Sequence, residues 1–204
     1  MEYRVLGPLE VLDTGGPLPL GGVKQRALLA LLILNANHVV PRERLIDELW
    51  GDNAPETAVK SVQVYVSQLR KLLPDRSLVT RAPGYMLEVE AEAVDLIRFE
   101  RLVREGRSAL AAGAPERAAD TLREAVALWR GPALTEFAAE HFAQLEGGRL
   151  DDLRLDALEN RIDADLQLGR HAEVTGELEV LIASHPHRER LRAQLMLALC
   201  LPER

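Results

Sequence analysis

A short segment with a helical pattern, followed directly by one with a hairpin pattern, constrains the fold of this chain most. Residues 61–73, SVQVYVSQLRKLL, are rich in β-branched side chains, yet their apolar positions repeat with a helical period. Pro74-Asp75 is expected to stop this helix, and residues 79–87, VTRAPGYML, predict two short strands around Ala82-Pro83-Gly84. At 100° per residue one stripe of the helix is predicted to face a core. It comprises Val59, Val62, Val66, Leu69 and Leu73.

Charge is placed unevenly along the chain, whose formal net charge is −7. Residues 1–90 carry 10 basic and 11 acidic side chains, and residues 91–204 account for a charge of −6. Within residues 57–85 the sign reverses to +4. There Lys60, Arg70, Lys71, Arg76 and Arg81 oppose Asp75. A local basic stripe of this kind is the electrostatic footprint of nucleic-acid binding.

The segments before the third helix complete a small α+β domain. Residues 1–20 alternate short apolar runs with Gly and Pro turns, which predicts an antiparallel sheet. A helix is predicted from Val23 to Asn35, with Asn37 as its stop, and a second one with Pro41 in its first turn and Gly51 at its end. The predicted order in residues 1–90 is sheet, three helices, hairpin.

From about Asp95 onward the pattern is entirely helical. Gly131-Pro132 is the clearest break, and Gly147-Gly148 leaves open whether one long helix continues or breaks. Two further helices are predicted near residues 171–184 and 188–200. A weak repeat at an offset of 56 residues is typical of stacked helical hairpins. It matches Leu110, Gly113, Leu122 and Val126 to Leu166, Gly169, Leu178 and Ile182.

These motifs together resemble a known family. VYVSQLRKLL followed by VTRAPGY resembles the recognition helix and wing of response-regulator winged helices. AVDLIRFERLV, EAVALWRGPAL, LRLDALENRIDADLQLGRHAEV and HPHRERLRAQLMLAL resemble the bacterial transcriptional activation domain. In this order they resemble the antibiotic regulatory proteins of actinomycetes. The resemblance implies an α+β winged helix over 1–90 and an all-α tetratricopeptide-like helical domain over 91–204.

The family also implies a function. Its members are activators that bind direct repeats near promoters as side-by-side homodimers and recruit RNA polymerase holoenzyme, often for antibiotic gene clusters. One departure is that LALC is followed here by LPER, where the family usually continues into another helical hairpin. The sequence leaves open a short form or the front of a longer regulator.

The predicted DNA-binding residues lie on the third helix and the hairpin. Lys60, Arg70 and Lys71 suit phosphate or guanine, Gln63 and Gln68 suit adenine, Ser67 suits either, and Val64 suits a thymine methyl. Arg81 is predicted to enter the minor groove, and Arg42 and Thr57 to contact phosphate. The alternatives are a solvated helix face, a plain turn arginine, and helix capping by Thr57. Gly84 is expected to permit the turn and Tyr85 to close the core.

Other features exclude other classes of function. The single cysteine, Cys200, and the lack of an apolar run near 18 residues predict a cytoplasmic protein without a membrane partner. The DNA-binding role that the family resemblance implies would make it nucleoid-associated. Gly21-Gly22-Val23-Lys24 is too short for a phosphate-binding loop, and His185 and His187 lack partners at metal-ligand spacing. We therefore expect no enzyme activity, cofactor or metal.

Further predictions concern four residues of the helical half and one rival function. Asp151, Asp152 and Asp156 are expected to form i, i+4 surface pairs within their own helix, and Trp129 to lie on the apolar stripe of the fifth helix as a core residue. The rival is a helical protein-interaction scaffold, or the N-terminal part of a larger multidomain signalling regulator. The basic stripe and Arg81 favour DNA over this rival.

Overall fold

The computed structural model describes residues 1–200, and packing divides the chain into two compact units. The first unit contains residues 1–98 and 129–151, and the second contains residues 99–128 and those from 152 onward. Neither unit is continuous in sequence. The predicted domain boundary near residue 90 stays a prediction, and residues 201–204 of the predicted second domain lie outside the described residues.

The first unit opens with the predicted antiparallel sheet. It consists of β1 (Glu2–Arg4), β2 (Glu10–Asp13) and β3 (Gly16–Pro17), in the order β1-β2-β3. Tyr3 lies opposite Val11, and both side chains are buried. One face of this sheet therefore belongs to the core of the unit.

Three helices follow, as predicted. They are α1 (Val23–Leu34), α2 (Arg42–Trp50) and α3 (Ala58–Leu69), and a short 3-10 helix, Gly51–Asn53, follows α2. Residues 27–33 of α1 are all buried, because α2, α3 and the second sheet surround this helix. Gly51 ends α2 with φ at 55°, as expected, whereas Pro41 precedes the helix as its N-cap instead of lying in its first turn.

The hairpin is confirmed and gains a third strand. It is formed by β5 (Leu78–Arg81) and β6 (Gly84–Leu87), and β4 (Val40–Pro41) pairs with the other side of β6. A Cβ on Gly84 would lie 1.8 Å from the carbonyl oxygen of Val40. Gly84 is therefore required by the close approach of β4 to β6, and not by the turn as predicted. Tyr85 is buried, as expected.

Residues 129–151 contribute to the core of the first unit. The backbone N–H of Arg130 donates to the carbonyl of Leu6 at 2.9 Å, and Nζ of Lys24 lies 2.6 Å from Oε2 of Glu140. A 3-10 helix, Thr135–Phe137, carries Phe137 into the core at 1% exposure. Trp129 is buried here, as expected of a core residue. It lies two residues after the end of the fifth helix, so its predicted place on the stripe of that helix is wrong.

The helices of the second half follow the predicted order. They are α4 (Asp95–Ala111), α5 (Pro115–Ala127), α6 (His141–Gln167), α7 (His171–Ser184) and α8 (Glu189–Cys200), with a 3-10 helix, Ala91–Ala93, before α4. The helix α6 continues through Gly147 and Gly148, which settles the open question. Gly113 and Gly169 join α4 to α5 and α6 to α7 with φ of 70° and 79°. These left-handed turns confirm the helical hairpins that the repeat indicated.

Ion pairs join the helices and loops of the second unit. Arg188 pairs with Asp152 and Asp156, and Arg107 also pairs with Asp156. The expected pairing of Asp152 and Asp156 within their own helix is therefore wrong, since their partners are Arg107 of α4 and Arg188, the residue just before α8. Asp151 is exposed and has no ion pair within residues 1–200. Asp165, which is 2% exposed, pairs with three arginines. They are Arg123, Arg161 and Arg170.

The described residues contain neither a membrane-spanning helix nor a cluster of metal-ligating side chains. No helix within residues 1–200 is both long and apolar enough to cross a membrane. In the same residues, no group of three or more His, Cys, Asp or Glu side chains is placed to hold a metal ion. His185 ends α7 as its C-cap, and His187 lies before α8, so both belong to the predicted inter-helix loop.

Candidate nucleic-acid interface

The helix α3 has one buried face, as its apolar period predicted. Val62, Val66 and Leu69 are at most 2% exposed, and Leu73 is also buried after the helix ends. Val59 is the exception, with 44% exposure. Its predicted burial is wrong because it lies in the first turn, where the preceding residues 51–57 are themselves exposed and cover nothing.

The helix also ends earlier than its pattern predicted. Leu69 is its last residue, and Arg70 is the C-cap. Beyond it the backbone tightens, because the N–H of Lys71 donates to the carbonyl of Gln68 at 3.1 Å. Arg70 and Lys71 therefore follow α3 in a turn, which corrects their assignment to the helix itself.

Five predicted contact residues lie on the outward face of α3. Their spacing of i, i+3, i+4, i+7 and i+8 places them on one side of a helix. All five side chains are exposed, and none has a hydrogen bond or ion pair to another residue within 1–200. They are Lys60, Gln63, Val64, Ser67 and Gln68. The face is therefore available to a ligand along its whole length.

The hairpin brings further basic side chains to the same unit. Arg81 is exposed at the end of β5 and forms no ion pair within the described part of the chain. Arg70 reaches the hairpin, where its Nε donates to the carbonyl of Leu78 and its Nη2 to Oγ1 of Thr80, each at 2.8 Å. Between the turn and the hairpin lies a groove of about 470 Å³, lined by these residues and Arg76.

Sequence reasoning missed Arg76 as a site residue. Its side chain is exposed in the wall of the groove, and its backbone φ is 68°. The charge count over residues 57–85 already included Arg76. Only the fold of the turn places it beside Arg70 and Arg81, so the charge count was the one signal available.

The two predicted phosphate contacts at helix starts differ in their surroundings. Arg42 begins α2, and its backbone N–H donates to the carbonyl of Pro83 at 3.3 Å, next to the hairpin turn. The side chain of Arg42 is half-buried, and its Nε has no hydrogen-bond partner among the described residues. Thr57 is exposed at the N-cap position of α3 but makes no capping hydrogen bond, so the capping alternative is wrong.

Comparison with known families agrees with this geometry. Residues 19–87 match the model described as "Transcriptional regulatory protein, C terminal", and residues 94–204 match "Bacterial transcriptional activator domain". The chain belongs to the bacterial transcriptional activator domain family. Both halves of the predicted resemblance, to the antibiotic regulatory proteins of actinomycetes, are thereby confirmed.

Individual relatives support the same assignment. Regulatory protein DnrI of Streptomyces peucetius is 38% identical over 210 residues, which cover 98% of this chain and 77% of DnrI. Regulatory protein AfsR of Streptomyces coelicolor is 42% identical over 200 residues, 98% of this chain but 20% of AfsR. The matching relatives are named as regulatory proteins, and none of these names denotes an enzyme.

A solved structure confirms the fold. The structure of Mycobacterium tuberculosis EmbR in complex with a low-affinity phosphopeptide matches with a TM-score of 0.94 at 37% identity. The match covers 97% of this chain and 54% of the EmbR chain. The chain thus spans about half of EmbR and about a fifth of AfsR. The winged helix followed by a tetratricopeptide-like helical domain is confirmed as its architecture.

Proposed function

We propose that this chain is a sequence-specific, DNA-binding activator of transcription. The observation that carries the proposal is the outward face of α3, which is exposed from Lys60 to Gln68 and unpaired within residues 1–200. The major groove of B-DNA admits an α-helix and presents a distinct pattern of donors and acceptors for each base pair. A helix whose exposed face mixes amide, hydroxyl, ammonium and apolar groups suits that pattern.

Each side chain receives a role from its chemistry. Gln63 and Gln68 present amides that pair with adenine, and Val64 presents an apolar surface to a thymine methyl. Lys60 and Lys71 contact phosphate or guanine, and Ser67 contacts either. Arg81 enters the minor groove, where a narrow A·T tract attracts arginine. Arg42 and Thr57 contact the phosphate backbone at the flanks.

Family membership supports the wider proposal. Two copies bind side by side on direct repeats near a promoter, and the helical half helps to recruit RNA polymerase holoenzyme to an antibiotic gene cluster. Repeats about one helical turn apart, roughly 10 to 11 base pairs, would place both copies on the same side of the duplex. A protein with this function works at the nucleoid in the cytoplasm.

Selection of bound duplexes from a random DNA library tests the proposal. We expect enrichment of two direct repeats at near-helical spacing. Val64→Glu places a negative charge on the outward face of α3 and should abolish enrichment. Val180→Glu is the matched control, because Val180 is also an exposed valine on a helix, but on α7, and should leave enrichment unchanged.

Two outcomes would count against the proposal. Absence of enrichment at both low and moderate salt would favour the protein-interaction scaffold. Equal loss with Val64→Glu and Val180→Glu would remove α3 as the reading surface. Enrichment of a single site would support sequence-specific DNA binding but contradict the tandem arrangement.

A further inference from the structure

Arg70 joins the end of α3 to the hairpin through two hydrogen bonds. Its Nε donates to the carbonyl oxygen of Leu78 and its Nη2 to Oγ1 of Thr80, both at 2.8 Å. Both acceptors belong to β5, the strand at the outer edge of the β4-β6-β5 sheet. A single side chain therefore fixes the point where α3 ends against the edge of the hairpin.

The strand ladder makes the Leu78 carbonyl available to Arg70. The preceding residue, Ser77, accepts a hydrogen bond through its carbonyl from the N–H of Glu88 at 2.6 Å. In an antiparallel pair, alternate residues turn their backbone groups away from the partner strand. The Leu78 carbonyl thus points away from β6, and Arg70 supplies the donor that a further strand would otherwise supply.

The geometry requires an arginine. A guanidinium carries its five N–H donors in a rigid planar fork, so two separate acceptors can be held at once. Lys71, the next residue, is exposed and has no hydrogen-bond partner for its side chain within residues 1–200. The hairpin thus engages two of the five N–H donors of Arg70, whereas all three donors of Lys71 remain open to a DNA phosphate.

We propose that Arg70 is a positioning residue that sets the hairpin against α3, so that Arg81 and the outward face of α3 reach the same duplex. The inference rests on the proposed DNA-binding function. It assigns to Arg70 an indirect effect on affinity, in place of the direct contact with phosphate or guanine that the sequence predicted.

Binding to the selected duplex, measured as a function of salt concentration, tests this role. Arg70→Ala should weaken binding roughly tenfold, as expected from the loss of two modest hydrogen bonds, with an unchanged salt slope. Arg70→Lys retains the charge but not the planar guanidinium, and it should weaken binding by about the same factor. Thr80→Val removes one acceptor without changing the charge, and it should weaken binding roughly threefold. Lys71→Ala is the matched control and should reduce the salt slope by about 1.

Amide hydrogen exchange of the free protein provides a readout independent of DNA. Exchange within residues 78–87 should accelerate in Arg70→Ala and Arg70→Lys and stay unchanged in Lys71→Ala. A reduced salt slope in Arg70→Ala, restored binding in Arg70→Lys and unchanged hairpin exchange would overturn the positioning role. If the wild-type chain binds no DNA, the proposed function fails, and hairpin exchange alone still decides whether Arg70 holds the hairpin.

Discussion

Gly84 lies where two strands approach so closely that no side chain fits. The Cβ of an alanine would meet the backbone of Val40 at 1.8 Å and that of Pro41 at 2.8 Å. Backbone atoms cannot move aside as a flexible side chain can, so the hairpin or β4 must shift. Because Arg81 lies directly opposite Gly84 in the ladder, such a shift would also displace the proposed minor-groove contact.

We expect Gly84→Ala to lower the free energy of unfolding by about 2 to 3 kcal/mol, the upper part of the range for overpacking. Urea denaturation of the purified chain measures this change. Gly147→Ala is the control, since Gly147 lies inside α6 with no atom within 4 Å of an added Cβ. It should raise stability by about 0.5 to 1 kcal/mol. Equal effects of the two substitutions would contradict the close approach.

Glu2 makes the stability of the first unit depend on pH. Its Oε2 accepts a hydrogen bond from Arg4 at 2.6 Å, and its Oε1 accepts one from Arg98 at 2.8 Å. The Arg4 hydrogen bond holds the pKa of Glu2 below its usual value of 4.5, Arg98 acts in the same direction, and partial burial opposes both. A lowered pKa in the folded state means that the charged form stabilises the fold above pH 4.5.

Glu2→Gln should therefore lower the free energy of unfolding by about 0.5 kcal/mol at pH 7, a small value because solvent screens the pair. The difference from the wild type should vanish as the pH falls from 4.5 through the lowered pKa. Denaturation curves at several pH values test this. Glu56→Gln removes an exposed carboxylate that has no ion pair within residues 1–200 and should show no difference at any pH.

At the scale of elements, hydrophobic period predicted which helices exist but not where they end. The stripe through Val62, Val66 and Leu69 identified α3 because burial on one face leaves a helical repeat. At its end, the C-cap residue Arg70 binds acceptors that lie eight and ten residues further along the chain. The strand β4 was missed because two residues, Val40 and Pro41, carry no period of their own. Local pattern does not encode such tertiary partners.

Different substitutions on the outward face of α3 should change DNA affinity and sequence preference independently. Lys60→Ala removes a proposed phosphate contact, so binding should weaken to a similar degree on all duplexes and the salt slope should fall by about 1. Gln63→Ala removes a proposed base contact, so it should weaken binding by about 1 to 3 kcal/mol only on duplexes with the preferred base. Binding to the selected duplex and to single-base variants of it tests both. An unchanged slope in Lys60→Ala would exclude Lys60 from phosphate binding.

At the scale of the whole molecule, each compact unit is built from two segments that are separated in the sequence. Residues 129–151 lie in the predicted helical half, yet they pack with residues 1–98. Glu136 pairs with Arg26 and Glu140 with Lys24, so acids of this segment neutralise basic residues of α1. The sequence carried no sign of this, because Trp129, Phe137 and Phe142 would serve equally well in a helical core. The core in which each of these side chains is buried becomes apparent only in the folded structure.

This arrangement predicts that a core substitution at Phe137 loosens α1 in the first unit. Phe137 is 1% exposed, and its 3-10 helix contacts α1. Phe137→Ala should cost about 3 to 5 kcal/mol and accelerate amide exchange in residues 23–34. Leu178→Ala, at a fully buried position in the core of the second unit, is the matched control and should accelerate exchange in α7 instead. If Phe137→Ala left exchange in α1 unchanged, residues 1–98 would be stable without the segment 129–151. An independent winged helix within residues 1–90 would then be the better description of the molecule.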